Sequence, residues 1–127
     1  MAREQAETNR GYKCPTDLLD RVELVVDRTI QMVLALPRNV AGQEIGKQVI
    51  RSAGSVGTNL EESKATLTRK EYTQKVSISL REARETLYWI RRIECNDLLP
   101  CKRLADLKKE WDELVAIMTT MQKKLRS

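Results

Sequence analysis

A chain of 127 residues is the size of one domain and can bury a core without disulfides or a structural metal. Five glycines, three prolines, no phenylalanine and 32% charged residues suit helices and argue against a sandwich or barrel. The formal charge of +5 is uneven: residues 1–63 hold eight Lys/Arg against nine Asp/Glu, residues 64–127 fifteen against nine, so any affinity for an acidic partner belongs to the second half.

Residues 1–13 are polar and lack a periodic apolar face, which predicts a flexible tail ahead of a single domain over residues 14–127. A first helix is expected from Pro15, with Thr16 as its cap and Asp17 and Asp20 in its first turn. Leu18, Val22, Val25, Val26, Thr29, Val33 and Leu36 share its inner face, and Pro37 stops it. Residues 38–42 form a connection short enough to make the next helix antiparallel.

The second helix is expected over residues 43–64, with Ile45, Val49, Ala53, Val56 and Leu60 inward, and Arg51, Ser55, Thr58, Asn59 and Glu62 on the other side. Gly46, Gly54 and Gly57 inside it each cost up to about 1 kcal/mol relative to alanine. They predict close approach of another backbone, from this chain or a second copy. Thr68 and Glu71 have capping-box spacing and open a third helix running to about Cys95. Its core stripe is Tyr72, Val76, Ser79, Leu80, Ala83, Leu87 and Ile90. One flank carries Ile78, Glu82, Trp89 and Ile93 and reads as an interface; the other carries Lys70, Arg81, Arg84, Tyr88, Arg91 and Arg92 and reads as a basic surface.

After a turn over residues 96–100, Leu104, Leu107, Trp111, Leu114, Met118, Met121 and Leu125 alternate steps of three and four, a heptad seam expected to pack inside a bundle. Four amphipathic helices with short connections predict an all-α, antiparallel up-down-up-down four-helix bundle.

Chemistry is sparse in this pattern. Di-iron bundles need Glu-x-x-His pairs, and the chain has no histidine. Cys14, Cys95 and Cys101 form an odd set without an imidazole, read as reduced thiols of a cytoplasmic protein that can neither complete a zinc site nor act as an activated nucleophile. The SAGSVGTN segment lacks the Gly-Lys-Ser/Thr ending of a phosphate-binding loop, and no apolar run is long enough to span a bilayer. The expectation is a non-enzyme with no catalytic residues, no metal, no cofactor and no membrane association. Arg51, Asn59 and Glu62 are expected to meet Glu82, Glu85 or Thr86 in a buried polar network that fixes register, with ligand contact by Arg51 and Asn59 as the competing reading.

The segments RSAGSVGTNLEE (residues 51–62), Lys70-Glu71-Tyr72 and LREARETLYWI (residues 80–90) resemble the four-helix-bundle proteins of the 23S rRNA intervening-sequence family. The resemblance is strongest over residues 43–99. It implies a small cytoplasmic bacterial protein without catalytic residues that assembles as a ring, commonly of five subunits, and it is similar to the basic accessory variability proteins of retroelements, which partner a reverse transcriptase and nucleic acid. Together with the charge pattern, it predicts a homo-oligomer, expected to be a pentamer, that binds RNA or other nucleic acid through Arg81, Arg84, Tyr88, Arg91, Arg92, Lys108 and Lys109. Arg51, Gly54, Ser55, Gly57, Asn59, Ile78 and Trp89 are expected at subunit or close helix contacts. The alternative is an accessory module whose partner is another protein.

Overall fold

The structure is a computed structural model that describes residues 14–127, so the predicted tail lies outside the described residues. Four helices account for nearly all of it: α1 (Thr16–Leu34), α2 (Val40–Ser63), α3 (Arg69–Cys95) and α4 (Cys101–Arg126). Each packs on its neighbours in the chain and α4 returns to α1, more sparsely, leaving α1 and α3 on opposite sides of the bundle. Cross-helix contacts fix the directions. Ser79 and Thr86 of α3 meet Val56 and Ser52 of α2 in reverse order, as do Ser77 and Glu94 of α3 with Gln122 and Lys108 of α4. The arrangement is the antiparallel up-down-up-down bundle the sequence predicts.

Local chemistry sets the helix ends. Thr16 is not the cap of α1: Pro15 occupies that position in an extended conformation with no side-chain bond, and Thr16 is already helical. The helix ends at Leu34, ahead of Pro37; Ala35 and Leu36 close it with tight bonds to Met32 and Val33, and proline bars its preceding residue from continuing. The α2 helix begins earlier than expected because Asn39 caps it, accepting from the Gly42 amide at 2.8 Å. The capping box of α3 is present: Thr68 Oγ1 accepts from the Glu71 amide at 3.1 Å, and Glu71 reaches back to the Leu67 amide at 2.9 Å. Its C-terminus is a Schellman turn, with Asp97 in the left-handed region at φ 54° and the Leu98 amide bonded to Ile93 O at 3.0 Å.

The core follows the predicted stripes. Val22, Val25, Val49, Val56, Leu60, Val76, Ile90, Leu104, Trp111, Leu114 and Met118 are almost wholly inaccessible, while Met121 and Leu125 at the C-terminal end of the seam are only half-buried. Buried hydroxyls stitch the layers together. Trp111 Nε1 donates to Thr29 Oγ1 at 3.0 Å across the α1–α4 seam, and the Thr29 hydroxyl donates in turn to Val25 O at 2.6 Å. Between α2 and α3, Ser52 and Thr86 share a 2.7 Å bond and Ser79 donates to Val56 O at 2.8 Å. Every one of these polar groups is paired, so the apolar interior is kept without an orphaned hydroxyl.

Candidate nucleic-acid interface

The α3 helix turns its apolar stripe inward, so the residues about half a turn away are directed outward and form a basic face. Arg81, Arg84, Tyr88 and Arg91 recur there at steps of three and four and are all exposed. Arg81 has no carboxylate partner among the described residues, Arg84 reaches Thr119 at 3.4 Å, and Arg91 lies at the edge of ion-pair range from Asp112, at 3.9 Å. Tyr88 is 53% exposed, with the Arg92 guanidinium 5.5 Å from its ring centre and Trp89 edge-on at 5.1 Å. Arg92 itself is half-buried, its Nε without a partner, so its position is set mainly by the tyrosine and by Cys95 Sγ at 3.7 Å. Such an arginine-flanked ring offers charge to a phosphate and a face to an unpaired base.

The other predicted basic residues divide. Lys109 is exposed, whereas Lys108 is half-buried and chelated by both oxygens of Glu94 at 2.8 and 2.9 Å, a bond it would have to leave in order to reach a phosphate.

The expected polar network on α2 is different in kind. Arg51 does bridge to α3, binding Glu82 at 3.2 Å and Glu85 more closely, and these partners push its pKa up, the Glu85 bond most. Its side chain is half exposed, however, so this is a solvated clasp and not a buried network. Asn59 turns back to Ser55 O at 2.8 Å and Ser55 Oγ at 3.1 Å of its own helix, Glu62 pairs with Lys75 at 2.7 Å, and Thr86 is taken by Ser52. The buried register-setting bond is Ser52 with Thr86, which a stripe of small residues in the sequence does not single out.

The glycines also correct the sequence reading within this chain. A methyl at Gly54 would meet nothing within 4 Å, and at Gly57 only the methyls of Val26 and Val22 at 3.9 and 4.0 Å. The backbone approach occurs instead at Gly42, where a Cβ would fall 2.0 Å from Pro37 O. Gly54 and Gly57 line an open groove of about 530 Å³ between α1 and α2, bordered by Glu23, Asp27, Glu61 and Glu62. Ile78 and Trp89 are half-buried on the far side of α3 from α4, with Trp89 Nε1 bonded to Glu85 at 3.3 Å.

Charge is therefore segregated. Asp17, Asp20, Glu23 and Asp27 on α1 have no cationic partner among the described residues, and the exposed arginines of α3 lie diagonally opposite. Among the described residues, no helix is long and apolar enough to cross a membrane, and no group of three His, Cys, Asp or Glu is placed to hold a metal.

An antiparallel four-helix bundle tied by ionic clasps between its helices, with an exposed arginine line on α3, is the class that fold and surface define. The family model for the 23S rRNA-intervening sequence protein matches residues 18–120, and the chain belongs to that family. The crystal structure of a protein of unknown function from the S23 ribosomal protein family of Bacteroides thetaiotaomicron has the same fold: TM-score 0.75 and 23% identity, covering 84% of this chain and 98% of that one. No curated protein matches.

Proposed function

We propose that this chain is a non-enzymatic, cytoplasmic homo-oligomer, a ring of five in keeping with its resemblance, that binds RNA or other nucleic acid through the outer face of α3. The observation that carries the reading is the exposed line of Arg81, Arg84, Tyr88 and Arg91, rich in cations without strong carboxylate partners. Repetition of a modest patch around one particle raises its effective affinity without new contacts.

Fluorescence anisotropy of a labelled 23S rRNA hairpin, titrated at increasing salt, tests it. Affinity should fall steeply with salt, and alanine at Arg81, Arg84 and Arg91 should each reduce the logarithmic salt slope by about one. An absence of binding at low salt, or binding indifferent to all three changes, refutes the reading.

A second reading, a protein-interaction module with no direct nucleic-acid role, draws on a different surface. Leu34 and Ile50 are exposed and line a cleft of about 600 Å³ between the end of α1 and the start of α2, a surface apart from the arginines of α3. Substitutions there that abolish a partner's binding while α3 variants do not would favour it.

A further inference from the structure

The seam between α1 and α4 carries one closed ionic contact. Arg21 donates through Nε to Glu110 at 2.9 Å and through Nη2 to Glu113 at 2.9 Å, and its pKa is raised, chiefly by the Glu110 bond. Because the two helices are antiparallel, seven residues forward on α1 and seven back on α4 lead from Arg21 and Glu110 to Arg28 and Arg103. A seven-residue step returns to nearly the same helix face, so the second pair faces itself as the first does. The charge pattern does not repeat: where the first position sets arginine against glutamate, the second sets arginine against arginine.

Arg28 and Arg103 open onto one cleft of about 210 Å³, shared with Gln31, Met32 and Leu107. Met32 and Leu107 are buried and form its apolar floor, while the two arginines and Gln31 are exposed at its rim. Asp27 adjoins Arg28, and Asp106 lies one turn from Arg103, yet neither arginine has an ion-pair partner among the described residues. Lys102 and Arg103 also stand in the first turn of α4, which holds no acidic residue, so the positive end of that helix adds to the field.

Two guanidiniums across an antiparallel seam repel each other until an anion lies between them. Each is a planar fork of donors that matches an oxyanion bidentately. A single carboxylate could satisfy one fork; a phosphate, with more oxygens and more charge, can engage both at once. With a water occupying about 30 Å³ of liquid, the cleft has room for a phosphate-sized anion and a few waters.

We propose that Arg28 and Arg103 form a two-armed phosphate clamp on the α1–α4 seam, with the Gln31 amide as a further donor. The clamp is separate from the α3 face and does not depend on it. A free phosphate and a nucleic-acid backbone phosphate present the same oxyanion, and the experiment separates the two sources.

In the first arm, thermal unfolding of the full chain is followed in sodium phosphate and in sodium chloride of equal ionic strength. Phosphate stabilises proteins generally by exclusion, so the informative quantity is the difference between the natural chain and Arg103→Gln or Arg28→Gln. For a dissociation constant on the order of 10 mM, the natural chain should gain about 5 °C more than either variant in 100 mM phosphate. Arg103→Glu, which recreates the Arg21 pairing, should lose this gain while keeping its Tm in chloride at or above that of the natural chain, so a lost response is not mistaken for unfolding. In the second arm, the logarithmic salt slope of binding to a labelled RNA hairpin should fall by about one in each glutamine variant, whereas Arg38→Gln, outside the cleft, should leave the first arm unchanged. A response in the first arm alone assigns the clamp to free phosphate, and one in the second alone to a backbone phosphate. Equal behaviour of natural chain and variants in both arms overturns the proposal, whatever becomes of the α3 reading.

Discussion

Replacing Thr29 with valine isolates the hydrogen bond that ties the floor of α1 to α4. Threonine and valine are both β-branched, so the helix is hardly perturbed and the change is confined to the hydroxyl. In the natural chain, Trp111 Nε1 donates to that hydroxyl at 3.0 Å, and both residues are fully buried. Valine leaves the indole N–H with no acceptor and no access to water, a cost of about 1–3 kcal/mol. The new methyl regains about 0.8 kcal/mol or less. The net loss, up to about 2 kcal/mol, should appear as a lower urea midpoint at constant m-value and a Tm reduced by up to about 8 °C. Trp111→Phe should be costly by itself because it also empties volume, but in the Thr29→Val background part of its cost disappears, since the orphaned donor goes with it. A double-mutant cycle should give a coupling of about 1 kcal/mol. A Thr29→Val chain as stable as the natural one, or a cycle that is additive, refutes the reasoning.

Burial pushes the Tyr72 phenol up to about 12, with nearby Cys14 adding to the effect, and burial also raises the Cys14 thiol above its ordinary value. Both groups ionise more readily in the unfolded chain, so stability is full below about pH 8 and falls as pH rises toward 12, by about 2 kcal/mol for the tyrosine alone. Tyr72→Phe should therefore flatten the fall in urea midpoint between pH 10 and 12, and a fall of unchanged steepness would contradict the assignment. The two glycine environments predict opposite signs: Gly42→Ala, forced against Pro37 O, should destabilise by several kcal/mol, whereas Gly54→Ala, opening on free space, should stabilise the isolated subunit by up to about 1 kcal/mol. Denaturant titration of both variants, with light scattering to record assembly, checks this.

What could be read from the sequence was local or periodic. Thr68 and Glu71 lie within one turn of each other, so the box they form depends on nothing else in the fold. The steps from Leu104 to Met118 likewise mark a buried seam whatever faces it. Contacts that depend on the register between helices were not legible. Arg51 does meet Glu82 and Glu85 as its position implies, but burial is a property of the whole surface and the clasp is solvated. Asn59 and Glu62, which share its face, each have a nearer partner. The facing of Arg28 and Arg103 needs the α1–α4 register, which appears only once Arg21 is seen on Glu110. Of the glycines expected to be crowded, Gly46 is, with a Cβ there falling 3.1 Å from Val33 Cγ1 of α1, while Gly54 and Gly57 are open; the backbone approach is at Gly42, beneath the capping turn.

The separation of unpaired acids on α1 from exposed arginines on α3 also limits the symmetry by which copies can associate. These helices lie diagonally across the bundle and run in the same direction. A two-fold contact through either face would set like charge against like, because an isologous interface meets its own image. A head-to-tail contact that set α1 of one copy beside α3 of the next would pair opposite charges, but it would cover the very arginines that the nucleic-acid reading needs open, so a neighbouring copy and an RNA would compete for one face.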